Sequence, residues 1–176
     1  MAILLLTSTS GSPGVTTLAV GLALTWPRPI LLADCDPGAH QAILAGYLAG
    51  RSVNGKGLLR VAEAHRDRRP LREAVLDQTL PLSAEEESRR LFLPGFTKPG
   101  SAMHFGGVWE DLADALDRLG EVDIDVILDC GRLGPSGLPA RPGLSGTSGW
   151  RSFCRRGRRL GRCAVACGVA GSFVRL

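Results

Sequence analysis

The last quarter of this chain contains no acidic residue. Residues 130–176 carry nine Arg and neither Asp nor Glu, while residues 1–129 hold all 17 acids against 12 Lys and Arg. The formal net charge of +4 is therefore a balance of −5 over the first stretch and +9 over the second. Lysine is nearly missing too, with Lys56 and Lys98 its two occurrences, against 19 Arg. In a chain rich in Ala, Gly and Leu this points to a GC-rich coding sequence and carries no functional meaning. No apolar run reaches the roughly 18 to 20 residues that would span a bilayer. Met1–Leu6 has no basic leader and meets polar Thr7–Ser10 too early for a signal peptide, so a cytoplasmic location is expected. Histidine occurs only at 40, 65 and 104, with none near the five cysteines at zinc-ligand spacing. Cys35 and Cys130 each sit beside an Asp at the end of an apolar run, where small buried thiols are common. A disulfide framework and a structural zinc site are both excluded. No Ser/His/Asp arrangement stands out, and Glu85–Glu87 reads as a solvated connector.

What is present is a βαβ pattern. Ile3–Leu6 is a short apolar run that stops at a Ser/Thr/Gly cluster, Ser8–Gly14. Leu18, Leu22 and Trp26 then recur at helical spacing until Pro27 and Pro29 end the segment. Ile30–Ala33 is a second apolar run, closed by Asp34-Cys35-Asp36-Pro37-Gly38. Strand, glycine-rich turn, helix and strand predict parallel strands buried on both faces. Residues 39–80 read as mostly helical, with Ala42, Ile43, Leu44 and Leu48 on one face. A break follows at Gly50–Gly57, then shorter helices at 58–64 and 70–76. Leu91–Leu93 is a strand running into the turn Pro94-Gly95. Val108, Leu112, Ala115, Leu116 and Leu119 mark an amphipathic helix, and Val126–Leu128 a buried strand ending in Asp129. Beyond Gly134 the periodicity fails. Residues 135–149 are rich in Pro, Gly and Ser, and 151–162 are basic without helical order. Two units follow: 1–134, an α/β domain with a partial doubly wound, mostly parallel sheet, and 135–176, a basic, poorly ordered tail.

A glycine-rich turn between a strand and a helix brings free backbone N–H groups and the positive helix end to one point, which suits a phosphate. In the frame G-x-x-x-x-G-K-[ST], Gly14 and Thr16 match, whereas Thr9 replaces the first Gly and Val15 the Lys. Asp34, Asp36 and Asp129 end strands, and in an open α/β sheet ligands bind beyond those carboxyl ends. Turn and acids are thus expected to converge on one edge.

These segments resemble the ParA/MinD-like P-loop ATPases, the group with a deviant Walker A motif. Ser10-Gly11-Ser12-Pro13-Gly14-Val15-Thr16-Thr17 is similar to that family's K-G-G-x-G-K-T-T. Ile30–Pro37 is similar to its second strand with the D-x-D-P motif, Leu91–Gly95 to its strand ending in a proline-containing turn, and Asp125–Gly131 to its Walker B strand. The resemblance implies ATP and Mg²⁺ as cofactors. The backbone of Gly11, Ser12, Pro13, Gly14, Val15, Thr16 and Thr17 would cradle the phosphates. Thr16 and Asp129 would hold the metal, and Asp36 would orient the attacking water. It also implies work in chromosome or plasmid partitioning, division-site placement or positioning of a secretion or pilus machine, with a homodimer and a partner protein of that system. Both family lysines are missing, as Ser10 and Val15. Phosphoryl transfer rests on positioning and charge stabilisation, and one lost donor typically costs about 10² to 10³ in rate. Hydrolysis is therefore expected to be weak or lost unless Lys56, Lys98 or Arg132 substitutes. The alternatives are a non-catalytic scaffold and an inactive truncated remnant. Contact of the basic tail with DNA or a membrane is the less favoured reading, since no ordered basic face and no amphipathic helix is visible in it. Its loss of acids and periodicity favours sequence foreign to the fold, such as a shifted reading frame.

Overall fold

A computed structural model describes residues 2–8, 14–50, 55–83, 89–98 and 100–132, together with the backbone of 163–167 and 173–174. Three apolar runs form the centre of a sheet. β1 (Ile3–Ser8), β2 (Ile30–Asp34) and β5 (Asp125–Arg132) pair in parallel, with β5 between the other two. β4 (Arg90–Leu93) extends the sheet beyond β2, and β3 (Leu80–Pro81) closes that side antiparallel. The order is β3-β4-β2-β5-β1-β6-β7.

Adjacent residues of each central strand feed different cores, as period-two geometry demands. Leu5, Leu31, Val126 and Leu128 join one apolar cluster under α2 (Leu58–Arg66), α3 (Leu71–Asp77) and α4 (Trp109–Asp117). Leu6, Leu32 and Ile127 join the other, under α1 (Val15–Thr25) and the segment Ala42–Tyr47. Helices on both faces of a parallel sheet make the doubly wound α/β arrangement expected above. Continuous apolar strands are what burial on two faces requires. The first core is keyed by Phe96, Phe105 and Trp109, which meet edge to face with ring centroids 4.5 to 6.2 Å apart.

Three local features depart from the sequence pattern. α1 turns Ala19 and Ala23 to the sheet, both fully buried, and leaves Leu18 46% exposed. Two methyl side chains let the helix approach the strands more closely than leucines would allow. Residues 42–47 wind as a π-helical turn, with Leu48 N–H donating to Ile43 C=O at 2.8 Å. The buried apolar pair there, Ile43 and Leu48, is five residues apart, which matches the π spacing rather than 3.6. Finally, β6 (Cys163–Cys167) lies parallel beside β1, and β7 (Phe173–Val174) pairs antiparallel with β6. No strand is predicted there from periodicity, because the run is short and made of small residues. Its backbone supplies the ladder partners that the outer side of β1 needs. The rest of 133–176 lies outside the described residues, as do Glu85–Glu87. Among the described residues, no helix is long and apolar enough to cross a membrane.

Candidate functional site

The site is built at the carboxyl edge of the central strands. In-register pairing of β2 with β5 sets Asp34 opposite Asp129, and Cys35 N–H continues the ladder to Asp129 C=O at 2.8 Å. Alternation then sends Cys35 and Cys130 into the α2–α4 core and Asp34 and Asp129 toward the α1 side. Burial, followed by the nearby Asp34, Asp129 and Asp36 carboxylates, pushes the Cys35 thiol well above its usual range. The two thiols are packing groups, as the sequence implied.

α1 begins at Gly14, whose φ of +112° is open to glycine and strained for other residues. Leu18 N–H donates to Gly14 C=O at 2.8 Å, so the first turn is closed. No acidic residue occupies that turn, and its positive end stays uncompensated from within the helix. Val15 and Thr16 are partly buried and Thr17 is exposed. The Thr16 side chain lies close enough to Asp129 to favour its ionised carboxylate. Gly11, Ser12 and Pro13 lie outside the described residues, as do Thr9 and Ser10.

Asp129 is 1% exposed. Burial raises its carboxyl above the ordinary range, against the nearby Thr16 side chain and the Gly131 N–H that lower it, while Asp36 adds to the rise. Asp34 is pushed up to about 7, first by burial, then by the Asp129 charge, with the Asp36 N–H opposing. Asp36 completes the group. Its Oδ1 accepts from Gly38 N–H at 2.8 Å, and His40 Nε2 stands 4.0 Å from its Oδ2. The arrangement is rich in carboxylates and poor in cations. Among the described residues, no Lys or Arg forms an ion pair with Asp34, Asp36 or Asp129. Lys56 donates to Thr79 C=O at 3.0 Å, and Lys98 is exposed. The Arg132 and His104 side chains lie outside the described residues.

The donor set fits a Mg²⁺-bound phosphate. The Ser8 hydroxyl, at the end of β1, is fully buried and has no hydrogen-bond partner among the described residues. It stands where the chain enters the loop before α1. Among the described residues, no three His, Cys, Asp or Glu side chains are spaced to hold a metal by themselves. A cation at Thr16 and Asp129 would then take its remaining ligands from phosphate and water, the usual habit of Mg²⁺.

Asp36, Thr16 and Asp129 are thus brought to one edge, with Gly14 at the helix end. Ser8, Gly131 and His40 are additions that the sequence did not single out. Ser8 could have been found as the last residue of a strand entering the loop. His40, isolated in sequence, is four residues past Asp36. His65 is a surface partner of Asp111 at 2.7 Å, away from the site.

At the opposite sheet edge, Asp125 is clamped. Its carboxylate accepts from Trp26 Nε1 at 2.8 Å, from Arg28 Nε at 3.0 Å and from the Ala2 N–H. Burial raises this carboxyl, yet the hydrogen bonds from Arg28, Trp26 and Ala2 outweigh it and hold it below the usual range.

No family model matches the chain, and no curated protein matches it. Among solved structures it is similar to apo McdA from Cyanothece, with a TM-score of 0.52 and 19% identity over 99% of this chain and 77% of that one. The likeness is one of fold alone.

Proposed function

We propose that the chain is a ParA/MinD-like ATP-binding protein with weak or lost hydrolysis, acting in subcellular partitioning or positioning. The observation that carries this reading is the approach of Thr16, in the first turn of α1, to buried Asp129 at the end of β5, close enough to lower its carboxyl. It joins a helix N-terminus to a strand-end acid, the two groups a Mg²⁺–phosphate ligand needs side by side. Thr16 and Asp129 would hold the metal, and the backbone of Gly11 to Thr17 would supply N–H groups to the phosphates. When bound, Mg²⁺ neutralises phosphate charge. Asp36, partly buried and fixed by Gly38 N–H, orients a water. The ParA-like fold supports a homodimer and a partner protein of a positioning system.

The missing lysines support weak turnover. With Val15 in the usual Lys position, charge at the transferred phosphoryl group loses a stabiliser worth about 2.7–4 kcal/mol. A non-catalytic scaffold is the second reading, favoured by that same substitution. Equilibrium titration with a fluorescent ATP analogue tests both. Mg²⁺-dependent binding that disappears in Asp129→Ala is expected. Binding indifferent to Mg²⁺ and to Asp129 would sink the nucleotide reading and leave the scaffold.

A further inference from the structure

The two acids with different tasks at this edge, Asp129 and Asp36, sit on different strands, and one residue touches both. Gly131 N–H donates to Asp129 Oδ1 at 3.0 Å. Its carbonyl accepts from Thr7 Oγ1 at 3.1 Å, which ties it to the end of β1. Its bare Cα faces the Asp36 carboxyl: a Cβ built at 131 would overlap Asp36 Cγ and Oδ2 and would lie 2.6 Å from Oδ1. The backbone there is left-handed, with φ +60°. Asparagine tolerates that conformation, so φ alone does not demand glycine. The overlap does.

We propose that Gly131 is a positioning residue, which sets the Asp36 carboxyl against the end of β5 and so fixes its place relative to Asp129. The assignment of roles to the two acids rests on the nucleotide-binding reading, but the geometry does not. Three contacts converge on one residue of β5: Thr7 from β1, Asp129 from β5 itself, and Asp36 from the turn after β2. Past Cys35 the ladder between β2 and β5 has ended. No strand pairing holds Asp36, and its side chain is placed by what it meets. Gly38 N–H holds Oδ1 on one side, and the empty Cβ position of Gly131 accommodates the carboxyl on the other. A methyl group at 131 would drive Asp36 toward His40, or lift the end of β5 and stretch the Thr7 bond. In either case the spacing of Asp36 and Asp129 changes. The two acids therefore cannot be tuned separately.

A double-mutant cycle on the full chain tests this without nucleotide, so failure of nucleotide binding and failure of this proposal are distinguishable. Asp36→Ala removes Cγ and both oxygens while leaving the backbone strain at 131 unchanged. Chemical denaturation is expected to show Gly131→Ala raising the unfolding constant at least tenfold more in the native background than in Asp36→Ala. If Gly131→Ala does not fold, Asp36→Ala is expected to restore folding in the double variant. The second measurement is the ¹³C carboxyl resonance of Asp36. In Gly131→Ala it is expected to shift, while that of Asp125, at the far edge, stays in place. Equal cost in both backgrounds, no restoration of folding, or an unmoved Asp36 resonance would overturn the proposal.

Discussion

Asp34 is where the electrostatics of this edge can be weighed. Its carboxyl is partly buried opposite Asp129 and is pushed up to about 7, chiefly by burial and then by the Asp129 charge. In an unfolded chain the same group titrates near ~3.9. Below pH ~4 both states hold the proton, and the residue is neutral to stability. Between pH ~4 and about 7 the folded state keeps a proton that the unfolded state has lost, so stability falls as pH rises. Above about 7 the folded carboxyl is ionised at full cost, about 4 kcal/mol at ~1.4 kcal/mol per tenfold change in proton affinity. Asn keeps the shape and an oxygen for the Asp36 N–H, and has no proton to lose. Asp34→Asn should therefore match the native chain at pH 4 and exceed it by up to about 4 kcal/mol at pH 8. Urea denaturation at intervals across that range, without divalent cations, measures the difference directly. A pH-independent gap between the two proteins, or a native chain more stable than the variant at pH 8, would refute the reasoning.

The clamp at the other edge has the opposite sign. Asp125→Asn should lose about 2 kcal/mol at pH 7, the scale of a charge-assisted hydrogen bond. That loss should vanish as pH falls from ~4 through the depressed folded value, because the protonated native carboxyl gives up the same advantage. Acid titrations of both proteins by circular dichroism check it. Val15→Lys should restore a charge at the helix end and raise phosphate release by about 10² to 10³. An unchanged rate in a variant that still binds the ATP analogue would show that the loop does not present residue 15 to phosphate.

The parts of the site that were legible in sequence are those where chemistry and periodicity coincide. Asp34, Asp36 and Asp129 follow apolar runs, so their strand-end position could be read directly, and Thr16 could be placed by its spacing from Gly14. What remained hidden depends on partners far away in sequence. Gly131 looks like a turn glycine until Asp36, 95 positions earlier, is seen against its bare Cα. Asp125 reads as a strand-start acid, because nothing local announces Trp26 and Arg28, separated from it by 99 and 97 residues. Of the helical trio, Leu22 and Trp26 pack against the core, while Leu18 turns outward. The sheet selected Ala19 and Ala23, since close packing rewards small residues as well as apolar ones. The π-helical turn escaped a search at 3.6 residues, and β6 escaped because five small residues carry almost no periodic signal.

The place of β1 in the sheet has a consequence in time. It is made before both of its neighbours, β5 and β6, and the Ala2 N–H just before it binds Asp125 across 123 positions of chain. Neither neighbour exists when β1 leaves the ribosome. At about 5–20 residues per second, β1 waits roughly 6 to 25 seconds for β5 to be synthesised. Closing so long a loop is slow by topology as well. During that interval Ile3–Leu6 is an unpaired apolar strand, open to chaperones or to a neighbouring chain. Thr7, Ser8, Thr16 and Asp129 can meet only after it ends. This edge thus forms only once β5 has been made, and a nascent chain cannot bind through it before then.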